Sequence, residues 1–158
     1  MTDRTRRRVL TLIAGVATAL VCPGIGHAYG TREAVVEMVE TAAAAIAANG
    51  FPGALEDSPR RAWVRPDEGL YVYVMDESGT LLLHPDKRAE GDNVSGSRDR
   101  NGTYFIREII AATALQPSGA WTLYMWPDPV TGALVPKKTY AKRAGGVIVC
   151  AGYAGADV

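Results

Sequence analysis

Apolar positions recur at helical spacing at Val35, Met38, Val39, Ala42 and Ile46, which predicts a helix over residues 31–49. Thr31 stands where an N-cap belongs, Glu33 suits the positive helix start, and Gly50 stops the run, with one further turn over residues 51–57. A second stripe, Phe105, Ile106, Ile109, Ile110 and Ala112, predicts a helix over residues 103–115, broken by Gln116-Pro117-Ser118-Gly119. The remaining apolar stretches read as strands. Leu70–Met75 and residues 80–84 are joined by the turn Asp76-Glu77-Ser78-Gly79, and both sides of this pair are apolar, so both need cover. Three more strands follow over residues 119–126, 134–142 and 146–154; the last, GVIVCAGY, is apolar on both sides and therefore central. Residues 58–70, with Pro59 and Pro66, read as a connector, and residues 86–101 as a charged loop.

Helix, hairpin, loop and helix, then three strands is an order without βαβ alternation. It predicts an α+β fold with one five-stranded antiparallel sheet. The long first helix would cover one face and the loop–helix segment the other, with room for a pocket beneath that segment.

Hairpin registers decide which side chains meet. Pairing Met75 with Thr80 sets Tyr73 opposite Leu82 and Tyr71 opposite His84. In the later hairpin, Pro127-Asp128-Pro129-Val130-Thr131-Gly132 is read as a turn that cannot continue the strand. Trp126 then falls opposite Val135, Tyr124 opposite Lys137 and Thr122 opposite Thr139, so one face carries Thr122, Tyr124, Trp126, Lys137 and Thr139. Aromatic walls around one cation suit a small anion. If both hairpins present these residues to the same side, Tyr71, Tyr73, His84, Tyr124, Trp126 and Lys137 line one cavity between the sheet and residues 86–115. Each also has a plainer role: a solvated lysine, core aromatics, a structural histidine. Asp76 and Asp99 are turn-formers first, and Arg107 is expected to face solvent.

The 158 residues suffice for one ordinary domain. Residues 1–28 have the layout of an export signal: Arg4, Arg6, Arg7 and Arg8, a short apolar run over residues 9–21, then Gly26-His27-Ala28. That run is shorter than the roughly 20 residues a membrane span needs, although an uncleaved anchor is the competing reading. Thr5-Arg6-Arg7-Arg8-Val9-Leu10 also fits a twin-arginine signal, so either the Sec or the twin-arginine route to the periplasm is open. Removing four arginines and one aspartate from the 17 basic and 17 acidic residues leaves 13 and 16 in a domain over residues 29–158. That balance, with no basic run, argues against nucleic acid as a partner. Only Cys150 would remain of the two cysteines, so no internal disulfide is expected and the thiol reads as buried and structural.

The pieces YVYVMDESGTLLLHP, GDNV, DRNGTYFIREII, GAWTLYMWPDPVTGALVPKKTY and CAGY together resemble the single Cache domain, across the whole chain after the export segment. This resemblance implies an extracytoplasmic sensor module with a PAS-like sheet and a pocket on one face for small molecules, often short organic acids. It places Tyr71 and Tyr73 on the aromatic first strand, and His84-Pro85 at the end of the second. Asp99 and Gly102 fall before the second helix, and Tyr124, Trp126 and Lys137 on the hairpin. The sequence ends at Val158, five residues after Tyr153. It therefore resembles free-standing members, with a membrane receptor or kinase expected as partner and the oligomeric state left open.

No H-E-x-x-H, C-x-x-C, G-x-S-x-G or P-loop motif occurs, and Asp86, Glu90 and Asp92 lack calcium-loop spacing, so no cofactor or metal is expected. A small-molecule sensor is the favoured function. A hydrolase or lyase using His84, or a partner-binding structural protein, are the alternatives.

Overall fold

The computed structural model describes residues 30–57, 60–128 and 131–155. The predicted export segment lies outside the described residues. Helix α1 (Arg32–Asp57) starts where Thr31 Oγ1 accepts the Ala34 N–H at 3.2 Å, and kinks at Gly50, whose φ of 70° suits a residue without Cβ. Its apolar composition and length would suffice for a membrane span, yet Val35, Met38, Val39, Ala42, Ala43 and Ile46 are buried against the sheet, as in a core helix.

The sheet is antiparallel and six-stranded rather than five. β1 (Val64–Arg65), β2 (Leu70–Met75), β6 (Val147–Ala154), β5 (Leu134–Ala144) and β4 (Ala120–Pro127) lie side by side in that order, and β3 (Leu81–Leu83) also pairs with β2. β1 and β3 share one edge of β2: Val64 and Arg65 pair its start, Leu81 and Leu83 its end. The unpredicted strand β1 lies in the segment read as a connector. Its two residues are too few for any alternation to register.

The β4–β5 register is the expected one, with Thr122 opposite Thr139, Tyr124 opposite Lys137 and Trp126 opposite Val135. Pro127, expected to end the strand, instead closes it opposite Leu134. β4 is an edge strand, where a missing N–H is tolerated. The first hairpin departs further. Val74 pairs Leu83 and Met75 pairs Leu81 across an irregularity, so the expected pairings of Tyr73 with Leu82, Tyr71 with His84 and Met75 with Thr80 are not formed. Thr80 instead bridges Asn93, and His84 lies past the end of β3. Relative to the expected register, the Val74–Leu83 pair is slipped by two residues. The Met75–Leu81 pair is slipped by only one, so the irregularity turns Leu81 to the side of Tyr73 and Met75 while Leu83 stays on the side of Val74.

Alternation along β2 and β6 divides the core. Val72, Val74, Leu83, Val147, Val149 and Ala151 pack under α1. Tyr73, Met75, Leu81, Ile148 and Cys150 face the other way, with Tyr124 and with Phe105, Ile106 and Ile109 of helix α2 (Phe105–Leu115). α2 starts at Phe105, two residues later than expected, because Thr103 and Tyr104 still belong to a turn in which Asp99 Oδ1 accepts the Asn101 and Thr103 N–H groups.

Candidate functional site

Beneath α2 and the loop before it lies a cavity of about 210 Å³. All six residues singled out in the sequence, Tyr71, Tyr73, His84, Tyr124, Trp126 and Lys137, line it. Two hairpins supply them: β2 and the segment after β3 give the first three, and β4 and β5 the rest. Leu81, Ala89, Val94, Ser97, Phe105 and Ile106 complete the wall. Sequence reasoning did not assign these to the site, although Phe105 and Ile106 had been placed on the apolar face of the helix expected to cover it.

The roof is held by short polar turns. Asp76 Oδ1 accepts the Ser78 and Thr80 N–H groups, Asn93 Oδ1 accepts the Ser95 N–H, and Asp99 Oδ2 reaches across to the Met125 N–H at 3.0 Å. This last bond ties the loop to the β4 edge directly beside Tyr124 and Trp126. It also holds the Asp99 carboxyl below its usual range, and the Thr103 and Asn101 N–H groups add to the effect. The turn-forming role expected for Asp76 and Asp99 is thus the one they play. Arg107, expected to face solvent, is exposed, with its Nε–H on the Ser95 carbonyl and its guanidinium over Tyr104.

The aromatic wall is interlocked. Phe105 stacks on Tyr124 at 4.4 Å between centroids, and Trp126 meets Phe105 and Tyr124 edge-on at 5.8 and 6.0 Å. Tyr71 meets the His84 ring edge-on at 5.7 Å. His84 Nδ1 accepts the Asp86 N–H at 3.1 Å, and the His84 N–H is held by Glu90, itself paired with Arg60. Tyr124 is buried, and its hydroxyl bonds Thr139 at 2.9 Å. Burial pushes the Tyr124 and Tyr73 phenols above their usual range, so both stay neutral.

Lys137 is the exceptional member. It is only 5% exposed, and its Nζ lies 4.8 Å from the Trp126 ring centroid, 5.2 Å from that of Tyr71 and 3.5 Å from the Tyr71 hydroxyl. Among the described residues no carboxylate pairs with it. Burial works to strip its proton, the Tyr124 and Tyr71 oxygens work to keep it, and the balance holds its pKa above the ordinary lysine value. Gly152 makes room for it: a Cβ there would stand 2.5 Å from Thr139 Oγ1 and 3.1 Å from Lys137 Cε. A buried ammonium without a counter-charge is costly, and the arrangement is one that an anion would complete.

Cys150 is fully buried near Tyr73, and burial pushes its thiol up to about 12. It acts as a small apolar core residue. Among the described residues no group of three or more His, Cys, Asp or Glu side chains could hold a metal ion.

The family model described as Single Cache domain 2 matches residues 33–154. A search of curated proteins found no match. Solved structures share the fold. A methyl-accepting chemotaxis protein from Vibrio parahaemolyticus RIMD 2210633 is 21% identical, with a TM-score of 0.63 over 79% of this chain and 88% of its own. The periplasmic sensor domain of a chemotaxis protein is 28% identical, with a TM-score of 0.54 over 76% and 87%. A Cache chemosensory domain described for its carboxylic acid recognition is 22% identical, with a TM-score of 0.61 over 76% and 90%.

Proposed function

This chain belongs to the single Cache domain 2 family, and from that premise we propose that it senses a short organic acid in the periplasm and passes the signal to a membrane receptor or kinase. Domains of this family are extracytoplasmic ligand-binding modules of sensory systems. The ligand class is read from one observation, the buried and unpaired ammonium of Lys137 in an aromatic cavity. In this reading Lys137 receives the carboxylate and the Tyr71 hydroxyl donates beside it. Tyr73, Tyr124 and Trp126 enclose the carbon chain, and His84 closes the end nearest the loop.

Size and polarity narrow the class. At about 30 Å³ per water-sized unit, a cavity of about 210 Å³ takes about seven non-hydrogen atoms. No carboxylate lines it to receive the ammonium of an amino acid, and Lys137 is its only lysine or arginine among the described residues. A monocarboxylate of two to four carbons fits best, with Ser97 and His84 available to a hydroxyl or keto oxygen. A charge-assisted hydrogen bond contributes about 1.5–3 kcal/mol, and each buried methylene about 0.8 kcal/mol. Together these come to roughly 3–5 kcal/mol, which corresponds to binding in the millimolar to high-micromolar range.

Residues 1–28 are proposed to direct export and to be removed, leaving a domain over residues 29–158. Protein recovered from the periplasm is then expected to begin at or near Tyr29. N-terminal sequencing that found Met1 or Thr2 on soluble cytoplasmic protein would refute this. Arg6→Lys with Arg7→Lys blocks export only if the route is the twin-arginine one.

The ligand reading is tested by thermal-shift screening of the purified protein against short mono- and dicarboxylates, amino acids and amines. Saturable stabilisation by monocarboxylates, and by none of the amines, is expected. Stabilisation by amines alone would reject an anion site.

A further inference from the structure

We infer that the α1 face of the sheet carries a second, separate ligand site, for an aromatic carboxylate, built by Arg32, Trp121, Lys138 and Tyr153. These four residues line a cavity of about 250 Å³ that shares no residue with the one around Lys137. Lys137 and Lys138 are neighbours on β5, so their side chains leave the strand on opposite faces, and each enters a different cavity.

The second cavity has its own charge and its own walls. Lys138 lies directly across the strand pair from Tyr153, and the Trp121 and Tyr153 rings stand at 86° to each other with centroids 6.1 Å apart. Their corner presents two apolar walls. The Arg32 guanidinium rests over the Trp121 ring at 5.2 Å, which orients it while leaving its N–H edge unspent.

Pairing sets these two cations apart from their neighbours. Lys142 and Arg65, which also reach α1, have the carboxylates of Glu40 and Glu37 as partners. Among the described residues neither Arg32 nor Lys138 has one, and no carboxylate lines this cavity. Two free cations facing an aromatic corner match a flat ring bearing a carboxylate. At about 30 Å³ per water-sized unit the space holds about eight non-hydrogen atoms, the scale of a single substituted ring. The Lys137 cavity is smaller and offers one cation.

Benzoate is the probe, titrated into the purified 15N-labelled protein while amide and indole signals are followed. Saturable shifts are expected at the Trp121 indole and at Lys138 and Tyr153. They should persist in Lys137→Ala, which removes the cation of the other cavity. Arg32→Ala and Lys138→Ala should each weaken binding by about threefold or more, as expected for an exposed and a half-buried cation. Cyclohexanecarboxylate, with the same charge and no flat π-face, should bind more weakly than benzoate. Absence of saturation in a folded wild type overturns the inference, as does loss of the shifts in Lys137→Ala. Equal binding of the two acids overturns the aromatic ligand class. Failure here would leave the monocarboxylate proposal standing, because that proposal is read from Lys137 and a different set of signals.

Discussion

The two faces of the central sheet are built from alternate residues of the same strands and are packed differently. Under α1, Val72, Val74, Val147, Val149 and Ala151 meet Val35, Val39, Ala42 and Ile46 in an aliphatic layer. One residue along each strand, Tyr73, Cys150 and Lys137 face a layer of Tyr, Phe and Trp that stops short of closing and leaves a cavity with a cation in it. Small branched side chains interdigitate to full density, whereas rings braced edge-to-face hold a space open. The aliphatic layer under α1 is therefore read as the main source of stability and the Lys137 cavity on the other face as the monocarboxylate site, with the period-two alternation of the strands keeping them apart. The proposed aromatic-acid site lies on the α1 face at Trp121 and Tyr153, outside that layer.

The sharpest test of this division is truncation in the aliphatic layer. Ile46→Ala should cost about 2–5 kcal/mol of unfolding free energy in chemical denaturation, because Ile46 is fully buried and its neighbours cannot collapse into the gap. A loss under 1 kcal/mol would mean that the α1 layer is not the stabilising one.

Lys137→Met should act in the opposite direction. Replacing an unpaired buried charge with an apolar side chain of similar length is expected to leave the ligand-free protein as stable or up to about 4 kcal/mol more stable. Clear destabilisation would show that the ammonium supports the fold, and would blur the comparison.

Gly152→Ala probes how closely the two functions abut. Its added methyl would press on Thr139 Oγ1, the Lys138 carbonyl and Lys137 Cε, so a loss of about 1–3 kcal/mol and displacement of the ammonium are expected. Unchanged stability and ligand affinity would show that Gly152 is not what makes room for Lys137.

Acid should produce the smallest effect. The hydrogen bond from Arg60 holds the Glu90 carboxyl below its ordinary value of 4.5, against the cost of burial and with help from the His84 N–H. A depressed folded-state value means that the contribution is complete above the unfolded pKa and is lost as pH falls through the lower folded one. For a partly exposed pair this is at most about 1 kcal/mol. Glu90→Gln should remove that part of the acid dependence, checked by denaturation at pH 7 and again below the ordinary carboxyl value of 4.5.

The same contrast explains what could be read from the sequence. Alternation is a strong signal in long strands, so the β4–β5 register, the α1 stripe and the membership of the Lys137 face were all legible from residue order. The irregular pairing of β2 with β3 was not, since three residues of β3 give too little pattern to locate a slip. Tyr71, Tyr73 and His84 nevertheless line the cavity, β2 being aligned by its regular pairing with β6. The roof was partly legible. Asp76 and Asp99 were recognised as turn-formers, but where their turns would carry Ala89, Val94 and Ser97 depends on bonds over long separations, such as that from the Met125 N–H to Asp99. Local sequence carries no trace of such a bond. The sixth strand escaped because two residues beside Pro66 look the same paired or unpaired.

The central claim is that Lys137, and not the lysine beside it, receives the short monocarboxylate. Calorimetric titration of the wild type, Lys137→Ala and Lys138→Ala with the short monocarboxylate that stabilises the protein most tests this directly. Binding should weaken by about tenfold or more in Lys137→Ala, the scale of one charge-assisted hydrogen bond, and stay unchanged in Lys138→Ala. Undiminished binding in Lys137→Ala, or sensitivity at Lys138 alone, would contradict the account.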